Sequence, residues 1–346
     1  MGRKAIVLSA GGARGAYEAG VVYYIRKNLP PKIARKHFDI KIGTSVGALN
    51  TLAMAAMADD PDKQADKIKE LWWTIRQEDV YSRDFGATTH FLGSTVGGII
   101  RNLITFNPFQ LTRRRGPHFN SFLDTTPLKL FLKKMIPWEQ VQKNVETGPL
   151  SVVAINATNL RNGRNELFVK RKPSIEYQGQ YPHYDVELGV EHAMASAAIP
   201  IIFPSIKIDG TYYADGGLRL FTPMSPAIQF GADSMIVVGL RYRSATGTGE
   251  NPKFKKDMKE PTIALQMGRM LNGVFLDRIE YDMEQLERIN SIIDTSEKVY
   301  GEDYLTGSDL LSYLTFAPGY LQTLFELGVQ DANRHRQDLI DIMDRD

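Results

Sequence analysis

Two glycine-marked turns in the first fifty residues limit what this chain can fold into. "KAIVLSAGGARGAYEAGVVYYIRKNL" opens with a short apolar run and passes through Gly11, Gly12 and Gly15. It continues with Val21, Val22, Tyr24, Ile25 and Leu29, spaced for one helical face, until Pro30-Pro31 ends the helix. "HFDIKIGTSVGALNTLAMAAMA" repeats the arrangement: a second strand, a Gly43-x-Ser45-x-Gly47 turn, and a helix of small and apolar residues. Strand, turn and helix twice in succession predict an α/β fold with a mainly parallel central sheet, because parallel neighbours need a crossover between them.

The same reading extends downstream. "LSVVAINATNL" predicts a central strand with "NELFVKR" beside it, and "DSMIVVGLR" one more buried strand. "SIKIDGTYYADGG" predicts a hairpin turning at Asp209-Gly210 in type I′ geometry. An amphipathic helix is expected over residues 63–78, and another over "TTPLKLFLKKMIPW" with Thr126 as its cap and Pro127 at its first helical position. "VELGVEHAMASAAIPIIFP" reads as a helix running into a proline-bounded segment.

Composition removes several classes of chemistry. There is no cysteine, which excludes thiol catalysis, disulfides and thiolate metal sites. A formal net charge of +2 excludes a strongly basic nucleic-acid binder. The apolar run at residues 5–8 is too short for an export-signal core, and no apolar stretch is long enough to span a bilayer. The expected location is the cytoplasm or the surface of a membrane.

Ser45 is the candidate nucleophile. A serine between glycines, on a tight turn from a buried strand into a helix, has the context of a nucleophile elbow. The helix behind it supplies unpaired N–H groups and a partial positive charge. The earlier loop, "SAGGARGAYEAG", suits an anion because glycines leave their N–H groups unshielded. A dinucleotide pyrophosphate site fits less well: Ala10 stands where its first glycine belongs, and Asp39 lies at the start rather than the end of the next strand. An oxyanion hole fits through Gly11, Gly12 and Ala13, with Arg14 adding a cation.

The base is open between two candidates. Chain order permits a triad, since His183 and His192 follow Ser45 and Asp124 lies between, yet none of the six histidines marks a strand-end turn. Asp215-Gly216-Gly217 is not needed by the hairpin, which Asp209-Gly210 already turns. A lone carboxylate can take the serine proton if burial raises its pKa. On spacing alone it reads equally as a turn.

Taken in order, "AGGARG", "GTSVG", "ASAAIPIIFP" and "YADGG" resemble the patatin-like phospholipase family over about Lys4 to Arg241. "NSFLDTTPLKLFL" and "LDRIEYDMEQLERIN" also look similar to bacterial members. The resemblance implies a three-layer α/β/α fold and a Ser-Asp dyad without histidine, with Ser45 as nucleophile and Asp215 as base. It implies an oxyanion hole at Gly11, Gly12, Ala13, Arg14 and Gly15, and structural glycines at Gly43, Gly47, Gly216 and Gly217. It implies no metal and no cofactor. Ala10 departs from the family's usual triple glycine.

The substrate expected from the resemblance is a phospholipid or lysophospholipid ester. An acyltransferase or thioesterase on the same dyad, or a non-hydrolytic nucleotide-binding protein, are the other readings. The expected division is a catalytic domain over residues 1–242, a polar loop over 243–261, and C-terminal helices over 262–346 packed back on the domain. Residues 85–122, with apolar Phe91 to Phe106 and Arg113–Arg115, read either as a lid or lipid-facing insertion or as a core helix pair with a solvated basic loop.

Overall fold

The computed structural model describes residues 2–83, 121–240 and 313–345. The expectations for a lid over 85–122 and for a loop over 243–261 therefore lie almost wholly outside the described residues. In chain order the strands are β1 (Lys4–Leu8), β2 (Ile40–Thr44), β3 (Ser82–Arg83), β4 (Leu123–Asp124) and β5 (Val152–Asn159). They continue with β6 (Asn165–Arg171), β7 (His183–Asp185), β8 (Ile206–Ile208), β9 (Thr211–Asp215) and β10 (Ser234–Val238). The described helices used below are α1 (Gly15–Lys27), α2 (Val46–Ala56), α3 (Pro61–Thr74), α4 (Thr126–Met135), α5 (Val190–Ser196), α6 (Met224–Gln229) and α7 (Pro318–Arg334).

The main sheet runs β10-β1-β2-β5-β6-β7, and its first four strands are mutually parallel. β6 is antiparallel to β5, and β9 pairs antiparallel with both β5 and β8. The period-2 alternation of a strand buried on both sides is visible in β1: Ile6 and Leu8 join one apolar cluster with α1, α2 and α3, while Ala5 and Val7 join another with α6. Ile40 and Ile42, and Val152 and Ala154, follow Ala5 and Val7 to the second face. Helices on both faces make the three layers. α7 lies along α1, where the Tyr17 hydroxyl donates to Asp331 at 3.1 Å.

One feature of strand pairing decides the site. β6 occupies one edge of β5 from Val152 to Thr158. The other edge is shared: β2 covers Val152 to Asn156, and β9 covers Ala157 to Asn159 from the opposite direction. The two strands therefore meet end to end, Thr44 opposite Asn156 and Asp215 opposite Ala157. The residue after Thr44 is Ser45.

Local differences from the sequence reading have local causes. The helix expected over 63–78 stops at Thr74, because Ile75 turns into the core and the Arg76 N–H starts a new turn on the Asp79 carboxylate at 2.9 Å. Thr126 is the first helical residue and not the cap; the Asp124 carboxylate accepts from both its N–H and its hydroxyl. The helix at 190 is only seven residues long. Asp209 and Gly210 both have positive φ, 45° and 80°, as a type I′ turn requires.

Candidate active site

The turn at Ser45 is strained, and tight packing holds it. Ser45 has φ 55° and ψ −121°, a backbone that non-glycine residues avoid. Its N–H donates to the Ser196 hydroxyl at 2.9 Å. A methyl group on Gly47 would overlap the carbonyl oxygens of Leu8 and Ser9, and one on Gly43 would overlap that of Gly47. Those two glycines let the end of β1 and the start of α2 approach closely enough to hold the serine at the rim of the sheet.

The carboxylate reaches the serine across the end-to-end junction of β2 and β9. Ser45 Oγ donates to Asp215 Oδ2 at 2.6 Å, and Gly217 N–H donates to the other carboxylate oxygen at 2.7 Å. The Asp215 main chain is held at both ends, its N–H donating to Ala198 O at 2.8 Å and its C=O accepting from the Thr158 hydroxyl at 2.8 Å. Ser45 is 4% exposed and Asp215 1%. Burial pushes the Asp215 carboxyl up to about 7, against the opposing pull of its hydrogen bonds from Ser45 and Gly217. Asp215 is the last residue of β9 and not part of a loop beyond it.

The two histidines that chain order offers, His183 and His192, stand elsewhere. His192 is on α5, where its Nδ1 accepts from Gly189 N–H at 3.1 Å and its ring packs on Phe168. His183 lies in β7 against Tyr177. Neither is a recorded partner of Ser45 or Asp215.

Gly12–Arg14 forms a short 3₁₀ turn leading into α1. That turn engages the N–H groups of Arg14, on Gly11 O, and of Gly15, which narrows the oxyanion candidates to Gly11, Gly12 and Ala13. The loop is tied down from below by a carboxylate that the sequence did not single out. Glu18, fully buried, accepts from Ser9 N–H at 2.7 Å and from Asn50 Nδ2 at 2.9 Å, and Asn50 Oδ1 in turn accepts from Trp72 Nε1 at 2.9 Å. Burial raises the Glu18 pKa well above the usual carboxylate range. Its place on the inner face of α1 was its only sequence signal.

Beside Ser45 lies an apolar slot walled by Val46, Leu49, Trp72, Phe131, Phe203 and Phe316, with Gly12 at its edge. Its volume is about 40 Å³. A dry cavity of roughly 150 Å³ takes a benzene ring, so a longer chain enters this slot only as its wall side chains part.

Ser196 falls within the "ASAAIPIIFP" stretch, and its hydroxyl accepts from the Ser45 N–H. Ser196→Ala leaves that buried N–H without its acceptor. It is expected to cost about 1–2 kcal/mol, read as a lower Tm by calorimetry; an unchanged Tm would show that water replaces the hydroxyl.

A hydroxyl on a buried carboxylate, a glycine-rich turn and an adjoining apolar slot are the parts that a serine acyl-transfer site requires. The chain belongs to the patatin-like phospholipase family, whose model matches residues 6–228; the family is one of lipid acyl hydrolases. A cGAMP-activated phospholipase of Pseudomonas aeruginosa is 30% identical over 214 residues, which cover 62% of this chain and 52% of that protein. The chain thus spans about half the length of that relative. Among solved structures, VipD of Legionella pneumophila is 14% identical, with 94% of this chain and 67% of that one covered at a TM-score of 0.33. The type III effector ExoU is 14% identical, with 98% and 53% covered at a TM-score of 0.41. It has also been solved with SpcU from Pseudomonas aeruginosa. Neither structural likeness is close enough to carry an argument. Among the described residues no helix is long and apolar enough to cross a membrane.

Proposed function

We propose that this chain hydrolyses acyl esters of phospholipids or lysophospholipids through an acyl-enzyme on Ser45, with Asp215 as general base. The observation that carries the proposal is the 2.6 Å hydrogen bond from Ser45 Oγ to a buried Asp215 carboxylate. Asp215 takes the proton as Oγ attacks the ester carbonyl, and the N–H groups of Gly11 to Ala13 receive the tetrahedral oxyanion. The protonated carboxyl then gives its proton to the departing alcohol. A water deprotonated by the same carboxylate attacks the acyl-enzyme, and Ser45 recovers its proton as the fatty acid leaves. The apolar slot holds the acyl chain, and no step calls on a metal. The catalytic unit is residues 1–242, with the segment ahead of α7 closing one side of the slot through Phe316. The substrate places the protein at a lipid surface.

Fluorophosphonate labelling with peptide mapping, alongside fatty-acid release from a phospholipid, tests the proposal. Label on Ser45 and release of fatty acid are expected; label on another residue sinks the assignment.

The carboxyl near 7 sets the pH dependence. The base works only when ionised, so kcat/KM on a soluble ester is expected to fall as pH drops through about 7. A profile flat from about pH 5 to about pH 9 would mean that the base is a carboxylate of ordinary pKa or another group.

A further inference from the structure

The segment joining α5 to β8 contains a residue that costs the free protein twice. Ile201 has φ 72°, a left-handed backbone that a β-branched side chain adopts only under constraint. Its side chain is also 58% exposed. The neighbours explain how the conformation is held. Ile201 O accepts from Phe122 N–H at 3.1 Å, Ile202 O from Leu123 N–H at 3.0 Å, and Phe203 N–H donates to Ile199 O at 2.8 Å. They do not explain why the residue is isoleucine. Glycine adopts the same backbone without strain and exposes no apolar side chain. A lone exposed apolar residue is ordinary; one kept on strained backbone beside an acyl slot is not.

We propose that Ile201 is an insertion point for the lipid surface from which an acyl chain enters the slot beside Ser45. The inference rests on the lipid-ester reading of that slot, and continuity identifies the occupant. Ile199 and Phe203 line the slot, Ile202 is buried, and Ile201 points outward from the same five-residue run. Residues 199–203 hold no polar side chain, so apolar surface passes from the slot to solvent along one loop. A lipid surface covers Ile201 at the place where a chain leaves the bilayer for the slot. Burying one such side chain in the interface is worth about tenfold in partitioning.

Ile201→Gly and Ile201→Asn test this, because both residues accept a left-handed backbone. Binding is measured by sedimentation with neutral phosphatidylcholine vesicles at high salt, where charge contributes little. Both variants are expected to bind about tenfold more weakly and to lose turnover on vesicles in proportion. The rate of Ser45 labelling by a fluorophosphonate stays unchanged, and Ile201→Gly gains in Tm as the strain is released. Vesicle binding that is absent in the wild type, or equal within about twofold in the variants, overturns the proposal. So does a wild-type dimer that Ile201→Asn dissociates, which would assign the residue to self-association. Sedimentation needs no turnover, so failure here is separate from failure of the lipid-ester reading, which shows as unlabelled Ser45 or uncleaved phospholipid.

Discussion

Asp215→Asn is expected to lose about 10²–10⁴-fold in acyl-transfer rate while making the protein more stable. The amide fits the space: Oδ1 still accepts from Gly217 N–H, while Nδ2 donates to Ser45 Oγ, so both contacts survive and only the second has its direction reversed. What goes is the ability to take a proton. What also goes is a buried charge. Asp215 titrates near 7 in the folded chain against an ordinary 3.8, so between those values the folded state holds a proton that the unfolded chain releases. Stability therefore falls as pH rises through that window, by about 4 kcal/mol once pH exceeds 7. Asparagine removes that cost. Urea denaturation is expected to show the variant ahead of wild type at about pH 8 and level with it near pH 4. Retained activity would remove Asp215 as the base, and a gain equal at both pH values would remove burial as the source of its shift. Ser45→Ala gives the matching loss of activity by deleting the nucleophile. It also withdraws one of the two hydrogen bonds that pull the Asp215 pKa down, so the carboxyl rises further.

Gly47→Ala is expected to have a large effect on folding. The added methyl meets the carbonyl oxygens of Leu8 and Ser9, which belong to the end of β1 and the loop after it. Neither can rotate aside as a side chain would, so the helix must lift from the sheet. A loss of about 3 kcal/mol or more follows, together with displacement of Ser45 two residues earlier. Gly319→Ala is the control, because a methyl there meets nothing within 4 Å. It is expected to be neutral or slightly stabilising, by up to about 1 kcal/mol. Equal losses in the two variants would mean that close approach at Gly47 is not what holds the turn.

Much of the fold was legible because it rests on local periodicity. β1, β2, β5, β6 and β10 each carry a short apolar core bounded by turn signals, and α1 ends where Pro30 and Pro31 demand. Elements whose existence depends on partners were not legible. His183–Asp185 has no alternation, and it is a strand only because β6 offers it an edge. The break after Thr74 follows from Ile75 entering the core and Asp79 capping a new turn.

Buried charge was the least legible feature of all. Lys41, inside the strand that leads to Ser45, is fully buried with its amine donating to Phe38 O at 3.0 Å, and burial beside Arg26 holds its pKa well below the usual amine range. Glu18 is likewise hidden under the glycine loop. A sequence shows such residues as polar, and only the facing groups reveal that they are inside.

The nucleophile and its partner divide along the same line. The sequence by itself determined that Ser45 sits on a turn between a buried strand and a small-residue helix, because glycine spacing and apolar runs are local signals. It also placed a glycine-rich loop ahead of that turn. Spacing alone left a histidine and a carboxylate open as the partner of Ser45, the family resemblance pointed to Asp215, and the tertiary structure puts that carboxylate against the serine. β2 and β9 share one edge of β5 and meet end to end, which brings residues 45 and 215 within hydrogen-bond reach. The same junction excludes water from Asp215, and that burial holds its pKa near 7. Strand pairing between segments 170 residues apart leaves no local signal, so the contact between the two side chains appears only once the sheet is assembled.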